Sequence, residues 1–138
     1  MDNEQDNNKQ QANKYGLLYP ELSYKIIGFV YKINDLIGFG QSEKIYCDAL
    51  EELLKENNLE YSRELYFPIK LNGKLLAKRF FDFLVDDKII LEIKVGDLKY
   101  KETCSQLFQY LKLSGKKLGL IFRFTKNGVK IKRIPCFY

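Results

Sequence analysis

Three charged residues stand where a small protein should be building its core. In the stretch FFDFLVDDKIILEIK, Phe80 to Lys94, two apolar runs flank a polar turn, and Asp82, Glu92 and Lys94 interrupt them. Alternate residues of a strand share a face. Ile89, Leu91, Ile93 and Val95 therefore line one face, and Ile90, Glu92 and Lys94 the other. Large apolar residues on both faces mark a strand covered on both sides. On the preceding strand, Phe81, Phe83 and Val85 share a face opposite Phe80, Asp82 and Leu84. A two-residue turn at Asp86-Asp87 pairs Val85 with Lys88 and Asp82 with Leu91. That register makes Asp82 a near neighbour of Glu92.

A bare charge costs several kcal/mol to bury, so these groups must be paired or must hold an ion. Two readings fit the residues. Lys94 could form an internal ion pair with a carboxylate. Alternatively, because one lysine does not neutralise two carboxylates, a divalent cation could balance the remaining like charge. The rest of the composition narrows the chemistry. The chain has no histidine, which excludes Ser-His-Asp and Cys-His triads and most zinc or iron enzymes. Cys47, Cys104 and Cys136 are far apart and odd in number, with no CxxC. That pattern argues against a disulfide framework or zinc site and for three small buried or half-buried thiols. A metal here would be held by carboxylates, which favours magnesium or manganese.

The elements that must position these groups can be read from periodicity. The chain of 138 residues suits one domain with one core. Residues 1–14, MDNEQDNNKQQANK, read as a disordered polar tail with no apolar core of the signal-peptide kind, and residues 15–138 as a single domain. No apolar run approaches the ~20 residues of a membrane span, and the expected location is the cytoplasm. Pro20 opens a helix with Leu22, Ile26, Val30 and Ile33 at helical spacing, closed by GFG. A second helix covers about 42–57, with Ile45, Tyr46, Ala49, Leu50, Leu53 and Leu54 on its apolar face. The period then changes to two. ELYFPIKL is a strand whose Pro68 predicts an edge or a bulge, and Asn72-Gly73 predicts a hairpin. Strands over 74–85 and 88–95 complete a three-stranded antiparallel meander. A third helix over about 102–113 carries Leu107, Phe108 and Leu111 and ends at Gly115. KLGLIFRF and VKIKRI are two final strands. The order is α-α-β-β-β-α-β-β.

Asp82 followed, ten positions on, by Glu92-Ile93-Lys94 resembles the D…ExK centre of the PD-(D/E)XK nuclease superfamily. Phe81 stands where the superfamily name has proline. Two further stretches carry the resemblance: GQSEKIY, Gly40 to Tyr46, is similar to the G-x-x-E-x-x-Y signature of the small nuclease-like proteins named for it. QLFQY, with Gln106 and Tyr110, is similar to the Q-x-x-x-Y pattern of RecB-like nucleases. The likeness spans roughly residues 20–135. It implies an α/β (α+β) fold with a restriction-endonuclease-like core, a mixed central sheet whose antiparallel meander is flanked by helices. It also implies a magnesium- or manganese-dependent nuclease, with Asp82, Glu92, Lys94, Glu43, Gln106 and Tyr110 as catalytic residues. The metal set it implies is Asp82, Glu92, the carbonyl of Ile93, and Glu43.

The physical readings of those residues stand beside it. Glu43 lies in the first turn of its helix, where a negative charge is favourable, at the margin of the buried face. Tyr46 suits core packing as well as chemistry. Gln106 and Tyr110, four apart, stack on one helix edge. Residues 96–138 carry ten Lys or Arg against two Asp or Glu, a footprint for a polyanion. Lys112, Lys116, Lys117 and Arg123 are the candidates to hold a nucleic-acid backbone, with DNA the expected partner and no base-reading motif. The rival readings are an inactive nucleic-acid-binding or regulatory module with the same fold, and a structural or protein-interaction domain. Oligomeric state is not written in the sequence.

Overall fold

The computed structural model describes residues 17–97 and 99–137, so the expected tail over residues 1–14 lies outside the described residues. Helices α1 (Pro20–Ile37) and α2 (Glu43–Glu56) precede strands β1 (Tyr61–Leu71), β2 (Lys74–Val85) and β3 (Ile89–Val95). Helix α3 (Tyr100–Ser114) follows, then β4 (Leu118–Thr125) and β5 (Gly128–Pro135). One mixed sheet runs β1-β2-β3-β4-β5. Only β3 and β4 are parallel, and α3 makes the crossover that a parallel pair needs. The element order and the antiparallel meander are as the periodicity predicts, and the α/β (α+β) class with a mixed central sheet flanked by helices is as the resemblance implies. Pro68 sits on the edge strand β1, next to a shift of register between Ile69 and Lys70.

Each face of the sheet carries its own apolar core. Helices α1 and α2 cover one face, where Ile26, Val30, Leu50 and Leu54 meet Phe83, Ile89, Leu91, Ile93 and Phe122. Helix α3 covers the other, where Leu107, Tyr110 and Leu111 meet Phe81, Ile90 and Ile121. Gly119 on β4 makes the close approach of α3 possible: a Cβ there would lie 2.7 Å from the Leu107 side chain. Two helix faces are rotated from the expected ones. In α2 the buried set is Tyr46, Cys47, Leu50 and Leu54, and Ile45 is exposed. In α3 Thr103 and Tyr110 turn inward with Leu107 and Leu111, and Phe108 faces out.

Two further corrections bear on the site. The β2–β3 turn has three residues, not two: Val85 pairs with Ile89 and Phe83 with Leu91. Asp86 and Asp87 both adopt positive φ, and the Lys88 N–H donates to the Val85 carbonyl at 3.0 Å. This moves the register by one residue, so Asp82 stands level with Glu92 rather than Leu91. Nor do Phe81 and Phe83 share a face. Glu64 on β1 has φ 56, and the paired strands turn over at Glu64 and Asp82. Arg63 therefore lies over the Phe83 ring in the first core, while Leu65, Phe67 and Phe81 join the second. At this kink β2 leaves β3. The β2–β3 pairing stops at Phe83–Leu91, but β1–β2 pairing continues to Leu71–Lys74. The rest of the hairpin is a two-stranded arm.

Candidate active site

Where β2 parts from β3, side chains replace the backbone ladder. The Asp82 N–H donates to Glu92 Oε1 at 2.9 Å. The Ile93 N–H donates to Asp82 Oδ2 at 2.7 Å. Each carboxylate thus accepts an N–H that the diverging strands can no longer satisfy between themselves, which a buried backbone donor requires. The arrangement holds both carboxyl groups in the same gap. The second oxygen of each, Oδ1 of Asp82 and Oε2 of Glu92, accepts no protein hydrogen bond among the described residues.

The gap is electrostatically unfavourable for two negative charges. Glu92 is only 6% exposed. Burial, and then the charge of Asp82, push its carboxyl up to about 8. Asp82 is also raised, first by burial, although the Ile93 N–H and Lys94 pull it down. Two carboxyls that resist joint ionisation, each with an oxygen to spare, fit a hard divalent cation. Asp82, Glu92 and the carbonyl of Ile93 are the groups that could hold it. Among the described residues no three His, Cys, Asp or Glu side chains stand together as a cation-holding group.

Lys94, half-buried two residues beyond Glu92, forms no ion pair with either carboxylate among the described residues. Its charge nonetheless acts on both. Glu43 stands exposed at the start of α2, close enough for its charge to raise both Asp82 and Glu92. The turn before it is built by the glycine and tyrosine of its own motif. Gly40 takes φ 112, a region open to glycine. The Tyr46 hydroxyl donates to the Gly38 carbonyl at 2.6 Å and accepts from the Gln41 N–H at 3.3 Å. The ring stacks on Phe124, centroids 3.8 Å apart. Ser42 caps α2 by accepting the Ile45 N–H. Tyr46 therefore fastens the loop that presents Glu43.

The remaining expected residues are dispersed. Gln106 is exposed on α3. Tyr110 is buried with its ring 4.6 Å from both Phe67 and Phe81, at the root of the arm. Arg123, level with Lys94 on the neighbouring strand, is held by Asp97 and lies over the Tyr100 ring. Lys116 bonds Asp87 at 2.7 Å. It and Lys117 precede Leu118, which is level with Ile89, about 10 Å or more down the sheet from Glu92. Lys112 occupies the last turn of α3.

Two neighbours of the site are not evident in the sequence. Cys47, one turn after Glu43, is buried within reach of the charges of Asp82 and Glu92. Burial, then Asp82, push its thiol well above the usual range, so it stays neutral. The Glu43–Cys47 spacing of four was the available signal. Arg63 lowers Asp82 while bridging Asp48 at 2.7 Å and Glu51 at 3.4 Å. Its position depends on the hairpin register, which no local pattern reveals.

A comparison with curated proteins gives no match. Among solved structures the chain is similar to the crystal structure of SSO0001, at 24% identity and a TM-score of 0.52. The likeness covers 84% of this chain and 58% of that one, and shows the fold alone. The chain thus matches a little over half the length of that protein. Residues 20–134 match the sequence profile of the PD-(D/E)XK nuclease superfamily, a span that contains both sheet faces and the Asp82–Glu92–Lys94 set, and the chain belongs to that superfamily.

Proposed function

We propose that the protein is a metal-dependent nuclease that hydrolyses phosphodiester bonds, with DNA as the expected substrate. The observation that carries this reading is the pair of carboxyls, Asp82 half-buried and Glu92 buried, set level across diverging strands beside a lysine that forms an ion pair with neither among the described residues. Asp82, Glu92 and the Ile93 carbonyl would hold a magnesium or manganese ion, with Glu43 approaching the site from α2. Such an ion, when bound, would supply activation of water and compensation of charge on the phosphate. Lys94 orients the attacking water and balances charge on the phosphate. Arg123, level with Lys94, together with Lys112, Lys116 and Lys117 belongs to the proposed set that holds the nucleic-acid backbone. Gln106 and Tyr110 belong to the proposed set in positioning roles. The loop held by Tyr46 supports placing the chain among the G-x-x-E-x-x-Y proteins.

The intact acidic pair weighs against a fold retained only for binding, because two buried like charges cost stability when they hold nothing. No helix among the described residues is long and apolar enough to cross a membrane, and we place the activity in the cytoplasm. Titration calorimetry tests the metal site. Magnesium should bind the wild type and lose its binding heat in Asp82→Asn. Equal binding by both proteins, or none by either, would contradict the assignment.

A further inference from the structure

Beyond the point where β2 leaves β3, the β1–β2 arm has an unusual surface. Residues 65–81 carry Lys70, Lys74, Lys78 and Arg79 and no acidic residue. Among the described residues none of these four forms an ion pair, whereas Lys116 and Arg123 are both engaged by aspartates. Tyr66 and Phe80 are cross-strand partners with ring centroids 5.2 Å apart, yet they are 46% and 60% exposed. Phe80 is two residues from Asp82 on the same strand. The arm thus presents an aromatic pair at the mouth of the candidate active site and unpaired cations leading away from it.

We propose that this arm grips unpaired nucleic acid, with Tyr66 and Phe80 stacking on exposed bases and the exposed Lys70, Lys74 and Lys78 following the phosphates. The substrate class is then a single strand or a frayed or flapped end. Aromatic faces and a basic track together bind single strands without reading sequence. The bases of an intact duplex are stacked on one another and offer only their edges. A second copy of the chain, packing on the exposed Leu71, Leu75 and Leu76, would have to bring four like charges against four, which opposes self-pairing. A polyanion meets the arm with complementary charge. The inference deepens the nuclease reading and rests on it.

Fluorescence anisotropy in chelator, with a labelled single strand and a blunt duplex of the same sequence, tests the grip. The single strand should bind the wild type more tightly. Tyr66→Ala and Phe80→Ala should each weaken it at least about fivefold. Replacing Lys70, Lys74 and Lys78 by alanine should flatten the salt dependence by about 0.7 in log–log slope for each phosphate that a lysine no longer neutralises. The replaced side chains are largely exposed, and matched melting curves would confirm that the variants fold. Variants that bind like wild type, or a wild type that prefers the duplex, would overturn the proposal. So would unchanged binding together with a dimer that the arm variants dissociate. Cleavage of the same substrates in magnesium separates the two readings. A wild type that cuts while its arm variants bind and cut equally well sinks the arm alone. A wild type that binds through the arm but cuts nothing sinks the nuclease reading alone.

Discussion

Replacing Glu92 by glutamine should make the metal-free protein more stable and remove most of its pH dependence. Glu92 has an ordinary carboxyl value of 4.5 and is pushed to about 8 in the fold. Between those values the native state keeps a proton that the unfolded chain has released. Stability therefore falls as pH rises through this window, and the loss is complete above about 8. At about 1.4 kcal/mol per pH unit, the wild type in chelator should lose roughly 3 kcal/mol from pH 5 to pH 7. Glutamine is neutral throughout, and its carbonyl oxygen can still accept the Asp82 N–H that Glu92 accepts at 2.9 Å. The variant should then hold nearly constant stability over this range and exceed the wild type by up to a few kcal/mol at pH 8, roughly 10 °C in melting temperature. Magnesium at a hundred times its dissociation constant should restore about 2.7 kcal/mol to the wild type and little to the variant. Thermal melts across pH, in chelator and in magnesium, measure all of this. A wild type that gains stability from pH 5 to pH 8 would refute the reasoning. So would a variant about 3–5 kcal/mol less stable, the loss expected when one partner of a buried ion pair is removed.

Lys94→Ala should lower cleavage at least about 100-fold, as loss of a charge-stabilising group does. Because Lys94 holds no ion pair in the described structure, its melting temperature should move by only a few degrees, and wild-type cleavage by the variant would contradict the assigned role. Tyr46→Phe removes the hydroxyl that joins Gly38 and Gln41 and should cost about 1–3 kcal/mol in a denaturant titration; unchanged stability would mean the loop is held by other contacts. Gly119→Ala forces a methyl against the fully buried Leu107 and should cost about 1–3 kcal/mol; a neutral or stabilising outcome would show that α3 can shift away from the sheet.

The order of the elements was legible because each carries a strong period and a strong stop signal. Pro20, Asn72-Gly73 and Gly115 mark their boundaries to within a residue or two of the structure. Asp82, Glu92 and Lys94 were legible for the same reason, as charges breaking an apolar pattern. What the pattern hid was register. Asp86-Asp87 looks like a two-residue turn, but both residues take positive φ and Lys88 joins the turn, so Asp82 moved opposite Glu92. The turnover at Glu64 was hidden as well, since nothing in ELYFP marks a left-handed residue. It decides that Phe81 and Phe83 serve different cores. The pairings of Lys116 with Asp87 and Arg123 with Asp97 join residues 29 and 26 positions apart, beyond the reach of any local reading.

The most direct measurement of the central claim is cleavage. Labelled single- and double-stranded DNA and RNA should be incubated with wild type, Asp82→Asn and Glu92→Gln, in magnesium, manganese or chelator. The account predicts cut products only from the wild type, only with metal, and from DNA above all. Metal-independent products, or equal cleavage by wild type and both variants, would contradict it, as would a wild type that cuts none of the four substrates in either metal.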